Sequence, residues 1–417
     1  MTWWRELLLQ TLFNVWSHKL RSALTMFGVA WGAASIMIMM AIGDGFKIGY
    51  LQSLSTLGTD IAIVWGGRTR GQAGDQRAGR RIRLTTEDVE AIRSSCHLVA
   101  AATPELERVL RISSPHNAGR FSTHGVAPVY QQIRSMRVAS GRPMTEEDNQ
   151  QEWRVCVVGP EVRKQLFGDR PAVGAQVRIQ DMPFTIIGEL AKKDQNSSYN
   201  GFDANKVLVP HRTMARHFPN PQAFEGAGAI DTLVFMPRTA VDHERALRQV
   251  KVVLGRRHGF DPDDEGALWV WDTVREARMV SSLYDSMQRF LAFVAVITLG
   301  LGGVGVMNIM LVAVAERTRE IGIKKAIGAT PGQILGEFFL ESILLTFSSG
   351  GLGVAVAWCV SAGVSRLPLP QMFAGLPITP WTAAITFLTL TLVGVLAAVY
   401  PARRAAGLAP VDALRYE

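Results

Sequence analysis

FLAFVAVITLGLGGVGVMNIMLVAVAERTREIGIKKAIGATPGQ, residues 290–333, sets an uncharged run long enough to cross a hydrocarbon core directly against a charged segment that keeps its helical character. No helix breaker follows the run until Gly328, so the helix is predicted to continue for about three turns, on the order of 18 Å, past the apolar stretch. Glu320 stands four residues before Lys324, the favourable order for an i,i+4 pair, and Gly328 suits a C-terminal cap. Thr330 then reads as an N-cap, with Pro331 at the first helical position and Gln333 completing a capping box. Residues 316–333 therefore read as a stiff helical hairpin. Its sharper reading is a docking surface for a partner; its plainer one is a turn whose charges only fix topology.

Three further apolar runs lie at 24–42, 342–362 and 383–400, which makes four expected spans. The residues before the first run are amphipathic (Trp3, Trp4, Leu7, Leu8, Leu12, Phe13, Trp16) and no small-x-small site follows Met40, so a retained anchor is expected rather than a cleaved signal. Short basic flanks fall before the first span (His18, Lys19, Arg21), after the second (Arg317, Arg319, Lys324, Lys325) and after the fourth (Arg403, Arg404, Arg415). By the positive-inside bias both termini lie in the cytoplasm and the long insert lies outside. Trp381 and Tyr400 bracket the fourth span as interface anchors. The expected fold class is a membrane α-helical bundle of four transmembrane helices with a large α+β extracytoplasmic domain inserted between helices 1 and 2. The expected divisions are an interfacial helix at 1–23, spans at 24–44, 289–315, 338–363 and 381–400, an outer domain at 45–288, a coupling segment at 316–333 and a cytoplasmic tail at 401–417. Gly28 and Gly32 form a G-x-x-x-G step, and Gly302 and Gly305 belong to a glycine cluster in the second span; close helix packing is expected there, with a sliding interface or homodimer seam as the functional alternative.

The 417 residues are 48% hydrophobic, with 44 Lys and Arg against 36 Asp and Glu. The resulting charge of +8 is explained by topology, because the basic residues form no aromatic-interleaved stripe of the kind nucleic acid requires. Of three cysteines, Cys359 lies in an apolar run, which leaves Cys96 and Cys156 as the pair able to bridge outside the cell, or two buried thiols. In the insert, short β-branched runs at 60–64, 154–158, 177–179, 184–187, 207–209 and 232–235 read as strands; 86–95, 161–167 and 241–256 read as helices, and residues 272–288 as a helical stalk entering the second span. Residues 66–81, rich in glycine and arginine and without periodicity, read as a mobile loop. Chemistry is not evident. The insert's histidines (His97, His116, His124, His211, His217, His243, His258) are scattered, the acidic group Asp261, Asp263, Asp264 and Glu265 lacks calcium-loop spacing, and no G-x-S-x-G or G-x-x-x-x-G-K-[ST] motif occurs.

The sequence resembles the membrane subunits of the MacB/FtsX class of ABC transporters, the macrolide-exporter branch in particular. The likeness is carried by HKLRSALTMFGVAWGAASIMIMMAIGDGF (18–46), SGRPMTEED (140–148), VCVVGPEVRKQLFG (155–168), PAVGAQVRI (171–179), PFTIIGEL (183–190), ERTREIGIKKAIGAT (316–330) and YPARRAAGLAPVDALRYE (400–417). The resemblance implies that two subunits, this chain with a copy or a paralogue, pair in the bilayer of the bacterial inner membrane. It also implies a coupling helix on a cytoplasmic ABC ATPase, with the contact carried by Glu316, Arg317, Arg319, Glu320, Ile321, Gly322, Lys325, Ala326, Gly328 and Ala329. The macrolide exporter carries its ATPase ahead of the first span in the same chain; here the sequence starts with the anchor, so the expectation is a separate ATPase holding ATP and magnesium, and no enzyme activity or cofactor in this chain. The implied roles are an efflux or mechanotransmission permease working with a periplasmic adaptor and an outer-membrane channel, lipoprotein release from the membrane, or activation of a periplasmic partner.

Overall fold

A computed structural model describes residues 19–58, 60–71, 77–193, 195, 198–219, 228–370, 372–409 and 413. The expected amphipathic segment before residue 19, and most of the tail after 409, lie outside the described residues. The chain divides into two units, Tyr50–Val280 and the flanking Met1–Gly49 with Ser281–Glu417. Helix α1 (Lys19–Leu57) contributes residues to both.

The inserted unit is α+β. Strands β1 (Ala62–Gly66), β2 (Val99–Ser113), β3 (Ala118–Val126), β4 (Val138–Gly141), β5 (Val155–Val158), β6 (Gln176–Ile179), β7 (Met182–Leu190), β8 (Lys206–Pro210), β9 (Thr232–Pro237) and β10 (Leu268–Asp272) form one mixed sheet. Its order is β10-β1-β9-β2-β3-β8-β5-β7-β4, with β6 paired to both β2 and β7. The pairs β3–β8 and β5–β7 are parallel. Helices α2 (Thr86–Ser95), α3 (Val129–Ile133), α4 (Glu146–Gln150), α5 (Pro160–Phe167), α6 (His211–His217) and α7 (His243–His258) complete the unit.

The central strands are buried on both faces. Ala62 and Val64, Cys156 and Val158, Val207 and Val209, and Leu233 and Phe235 enter one apolar core. Their intervening neighbours Ile63, Val157, Leu208 and Val234 enter another. A strand covered on both sides is written as an unbroken apolar run, which is why these runs announced strands. Strand β2 gave no such signal. Ala102, Leu106 and Leu110 meet the first core, while Thr103 and Glu105 turn polar groups toward the opposite face, and Pro104 interrupts the pattern. In the segment expected as a loop at 66–81, the described ends pair: Arg68 bridges Arg81, the Thr69 amide donates to the Arg80 carbonyl at 3.0 Å, and the Ile82 amide donates to Gly67 at 2.9 Å. Cys96 and Cys156 are unpaired and buried, and burial pushes the Cys156 thiol up to about 12.

Beneath the second core lies a dehydrated ion network. The Glu105 carboxylate meets His124 Nδ1 at 2.9 Å and accepts from the Tyr130 hydroxyl at 2.8 Å, from Tyr199 and from Asn200. Arg134 donates to Asp203 at 3.0 Å, and Lys206 and Lys193 stand 3.2 and 3.3 Å from the same carboxylate. The Arg134 guanidinium also lies 4.7 Å from the centroid of the Tyr199 ring. Burial alone would raise the Glu105 pKa; hydrogen bonding to His124 and the charges of His124 and Lys206 outweigh it and hold the group at about 2. Since the ordinary value is 4.5, this carboxylate contributes stability above about pH 4.5 and loses it as pH falls through about 2.

The flanking unit contains residues 281–316 of α8 (Thr273–Glu316), together with α9 (Thr318–Ala326), α10 (Pro331–Val364), α11 (Pro380–Ala406) and most of α1. Among the described residues, four helices are long and apolar enough to cross a membrane: Met26–Leu57 within α1, α8, α10 and α11. Their shared core includes Val29, Ile36 and Met40 of α1, Leu299, Val306 and Met310 of α8, Phe338 of α10 and Leu390 and Ala397 of α11. Gly28 and Gly302 bring α1 and α8 together: a Cβ on Gly302 would stand 3.0 Å from the Gly28 carbonyl oxygen, and one on Gly32 would stand 2.9 Å from Leu299. Gly305 takes no part, since a Cβ there would meet nothing within 4 Å. Asp44 of α1 accepts from Gln288 of α8 at 3.1 Å, and Lys47 pairs with Asp285 at 2.7 Å.

Removing one partner from the buried network leaves an uncompensated charge. Glu105→Gln is expected to cost about 3 kcal/mol at neutral pH and to flatten the acid side of the stability curve of the inserted unit. Thermal denaturation of the full chain in detergent between pH 7 and pH 3 is the check; an unchanged acid slope in the variant contradicts the assignment.

Candidate functional site

The hairpin that follows α8 is assembled from local signals. The expected continuous helix is interrupted at Arg317, whose backbone sits at φ −103° and ψ 15° between the end of α8 and the start of α9. The Thr318 hydroxyl donates to the carbonyls of Val314 and Ala315 at 3.1 and 2.9 Å, competing for acceptors that the next amides of a straight helix would use. The stiff extension is therefore corrected to two helices joined at a one-residue break. Hydrogen bonding carries across it, from the Arg317 amide to Ala313 and from the Ile321 amide to Arg317.

Helix α9 ends as its glycine requires. Gly328 lies at φ +107°, its amide donates to the Lys325 carbonyl at 3.2 Å, and the Ala329 amide donates to Lys324 at 3.0 Å, which is a Schellman closure. Thr330 and Gln333 then cap α10 reciprocally: the Thr330 amide donates to Gln333 Oε1 at 2.9 Å and the Gln333 amide to Thr330 Oγ1 at 3.3 Å, with Pro331 in the first turn.

Side chains of α9 separate into two faces. Thr318, Ile321 and Gly322 face inward. Ile321 joins the apolar core of the flanking unit, and a Cβ on Gly322 would stand 2.6 Å from the Ala413 side chain, so only glycine lets Ala413 seat there. Lys325 Nζ donates to the carbonyls of Ala406 and Leu408 at 2.7 and 2.5 Å, and so satisfies the open C-terminal end of α11 with a cation. Lys324 does not pair with Glu320 as its spacing suggested; it reaches Glu337 of α10 at 2.6 Å, and Arg317 approaches the buried Glu341 of the same helix at 3.5 Å. Cross-helix carboxylates, partly shielded from water, hold these cations more firmly than a solvated neighbour on the same helix. Ala329 packs against the same core.

The outward face holds Arg319, Glu320, Ile323, Ala326, Ile327 and Gly328, with Glu316 exposed at the foot of α8. Ile323 and Ile327 are 47% and 82% exposed, an apolar i,i+4 pair flanked by charge. Of the residues expected to touch a partner, Arg319, Glu320, Ala326 and Gly328 are thus accessible, whereas Ile321, Gly322 and Lys325 hold the hairpin in place. Ile323 and Ile327 were not singled out from sequence. Their signal was available: two β-branched apolar residues four apart in a segment otherwise charged.

Among the described residues of the inserted unit, several titratable groups are held by one another and by backbone amides. His124 and His258 are held by Glu105 and Asp88, the Asp264 carboxylate accepts from the amides of Arg70, Gly71 and Gly266, and among the described residues no group of three His, Cys, Asp or Glu converges as metal ligands.

Long apolar helices, a capped hairpin between two of them and one large α+β insertion define a polytopic membrane permease. The chain belongs to the MacB/FtsX permease family: residues 22–253 match the MacB-like periplasmic core domain and residues 292–410 the FtsX-like permease C-terminal region. It is similar to the macrolide export ATP-binding/permease protein MacB of Bdellovibrio bacteriovorus, 32% identical over 96% of this chain and 60% of that protein. It is also similar to MacB 1 of Yersinia pestis bv. Antiqua, 30% identical over 99% of this chain and 61% of that protein. The chain therefore spans about three fifths of the length of these curated relatives. Among solved structures, the periplasmic region of MacB from Actinobacillus actinomycetemcomitans aligns over 55% of this chain and 97% of its own, at 17% identity and a TM-score of 0.43.

Lys325→Ala removes the cation from two carbonyls at the end of α11. Amide hydrogen exchange of residues 402–408 is expected to rise roughly fivefold, equivalent to about 1 kcal/mol, and Gly322→Leu is expected to raise it further by displacing Ala413. Exchange unchanged in both variants argues against the fastening described.

Proposed function

We propose that this chain is the permease subunit of a MacB-type ABC transporter of the bacterial inner membrane. In this reading four helices span the bilayer with both termini in the cytoplasm. The inserted unit lies outside, between the first two spans, and the 316–333 hairpin is the cytoplasmic docking site of an ABC ATPase. The observation that carries the reading is the division of α9: one face fastened to α10 and α11 by Lys324, Lys325 and Gly322, the other exposing Ile323 and Ile327 between charged residues. A surface fixed from behind and apolar in front is suited to receive a partner and to pass on its displacement.

ATP and magnesium reside on the ATPase, and this chain performs no catalytic step. Hydrolysis moves the hairpin. Helix α8, continuous from Thr273 to Glu316, carries that displacement toward the inserted unit, which acts on an exported substrate together with a periplasmic adaptor and an outer-membrane channel. Two copies of the chain pair within the membrane, one for each ATPase of a nucleotide-driven dimer. Support for the ATP-driven export comes from the family and from relatives named as macrolide export ATP-binding/permease proteins.

Affinity purification of the tagged chain from its native membrane tests the proposal, with recovery of an ABC ATPase as the expected result. Ile323→Asp combined with Ile327→Asp is expected to reduce the recovered ATPase at least tenfold while insertion and gel-filtration behaviour stay normal, because both side chains are exposed. Recovery from the parent chain without any ATPase overturns the reading.

A further inference from the structure

The inserted unit holds a cavity of about 780 Å³ between α2 and α6, inside the size range of small-molecule sites. Its floor is apolar: Val89 of α2, Leu106 of β2 and Ala127 are buried there. Its walls carry four carboxylates and four guanidinium groups, and the two signs are not equally committed. Glu90 is held by Arg93 at 2.7 Å, Glu152 by Arg216 at 2.5 Å and Glu87 by Arg257 at 3.1 Å, while Glu146 accepts from Asn149 at 3.3 Å. By contrast, the exposed Arg212 guanidinium has no partner among the described residues, and neither does the buried Nε of Arg108. His211 adds a third unused nitrogen. The residue is 6% exposed, and its Nε2 has no hydrogen-bond partner among the described residues. Burial, and then the charges of Arg212 and Arg93, hold the imidazole at about 4, so at pH 7 it is neutral and carries one N–H. Arg93 belongs to α2 and Arg212 to α6, so both walls bring charge to the same ring. A buried ring nitrogen without a partner is costly, and a ligand that supplies one recovers the loss.

We infer that this cavity binds a small organic carboxylate, its apolar body on Val89, Leu106 and Ala127 and its carboxylate accepting from Arg212 and from His211 Nε2. A carboxylate takes two donors at once, and a guanidinium presents a fork that matches it. A cationic ligand would find the wall carboxylates already occupied and would meet Arg212. A neutral apolar ligand would leave both His211 and Arg212 unsatisfied. One free guanidinium beside a neutral imidazole balances a single negative charge, as a carboxylate carries, rather than the nearly double charge of a phosphate monoester. The site lies within the inserted unit alone and holds whether or not the bound molecule is exported.

The test is isothermal titration calorimetry of the full chain in lipid nanodiscs, with empty nanodiscs subtracted, against naphthoate, decanoate and the uncharged naphthalenemethanol. Saturable binding of a carboxylate, one per chain, is expected. Arg212→Ala removes one charge-assisted hydrogen bond and is expected to weaken the carboxylate about tenfold while leaving the alcohol unchanged. His211→Phe keeps a ring and removes the N–H, and is expected to weaken the carboxylate about fivefold. Ala215 lines the cavity and is exposed, so Ala215→Trp fills the space without entering the core and is expected to abolish binding of both at an unchanged melting temperature. Binding of naphthoate alone assigns a ring system as the apolar body, and binding of decanoate alone an acyl chain; binding of neither overturns the site. Undiminished binding in Ala215→Trp overturns the location, and equal losses of acid and alcohol in Arg212→Ala overturn the role of the carboxylate.

Discussion

The ammonium of Lys325 lies between two carbonyl oxygens at the end of α11, and the geometry of the hairpin follows from that contact. A helix terminus leaves its last carbonyls open, and in a protein that meets a membrane they need a partner beyond lipid reach. Supplying it from α9 fixes one side of that helix and forces the other to face solvent. Lys324 and Arg317 do the same toward α10, through Glu337 and Glu341. The nine residues of α9 are thereby tied to three longer helices, one by the chain and two by ion pairs or caps. Its isolated stability is small at this length, so tertiary fastening is what makes it a fixed surface.

In the inserted unit a different constraint governs. A sheet covered on both faces has no water for stray polar groups, yet Glu105, His124, Arg134, Asp203 and Lys206 are all buried against it. Each charge finds an opposite one or an aromatic face, and the network ties β2, β3 and β8 to α3 and to Lys193, Tyr199 and Asp203. Such groups contribute little net stability when complete and exact a large cost when one is lost. Their effect is specificity of arrangement, because alternative strand registers would strand a charge in the core.

Much of this was legible in the sequence, and for identifiable reasons. Apolar length gave the four long helices, and capping chemistry at Thr330, Pro331 and Gln333 located the start of α10 to the residue. Strands buried on both faces appeared as short runs of β-branched residues. Strand β2 escaped because Thr103, Pro104 and Glu105 interrupt its apolar pattern, the last of them to serve the ion network. The bridge between Arg68 and Arg81 escaped because its pairing is between backbone groups, which glycine and arginine conceal. The Arg317 break was invisible because Thr318 differs little from its neighbours in helix propensity, and its effect comes from where its hydroxyl points. The Lys324 partner was misread for a similar reason: sequence spacing offers Glu320, but Glu337 becomes available only when α10 folds back.

The interruption at Arg317 gives the hairpin a property that a continuous rod would lack. With hydrogen bonds spanning the joint on both sides, a small change in the torsions of one residue alters the angle of α9 without unwinding α8. How deeply the long helix sits in its surroundings and how the short one is tilted become separate variables, as in a knuckle below a fixed forearm.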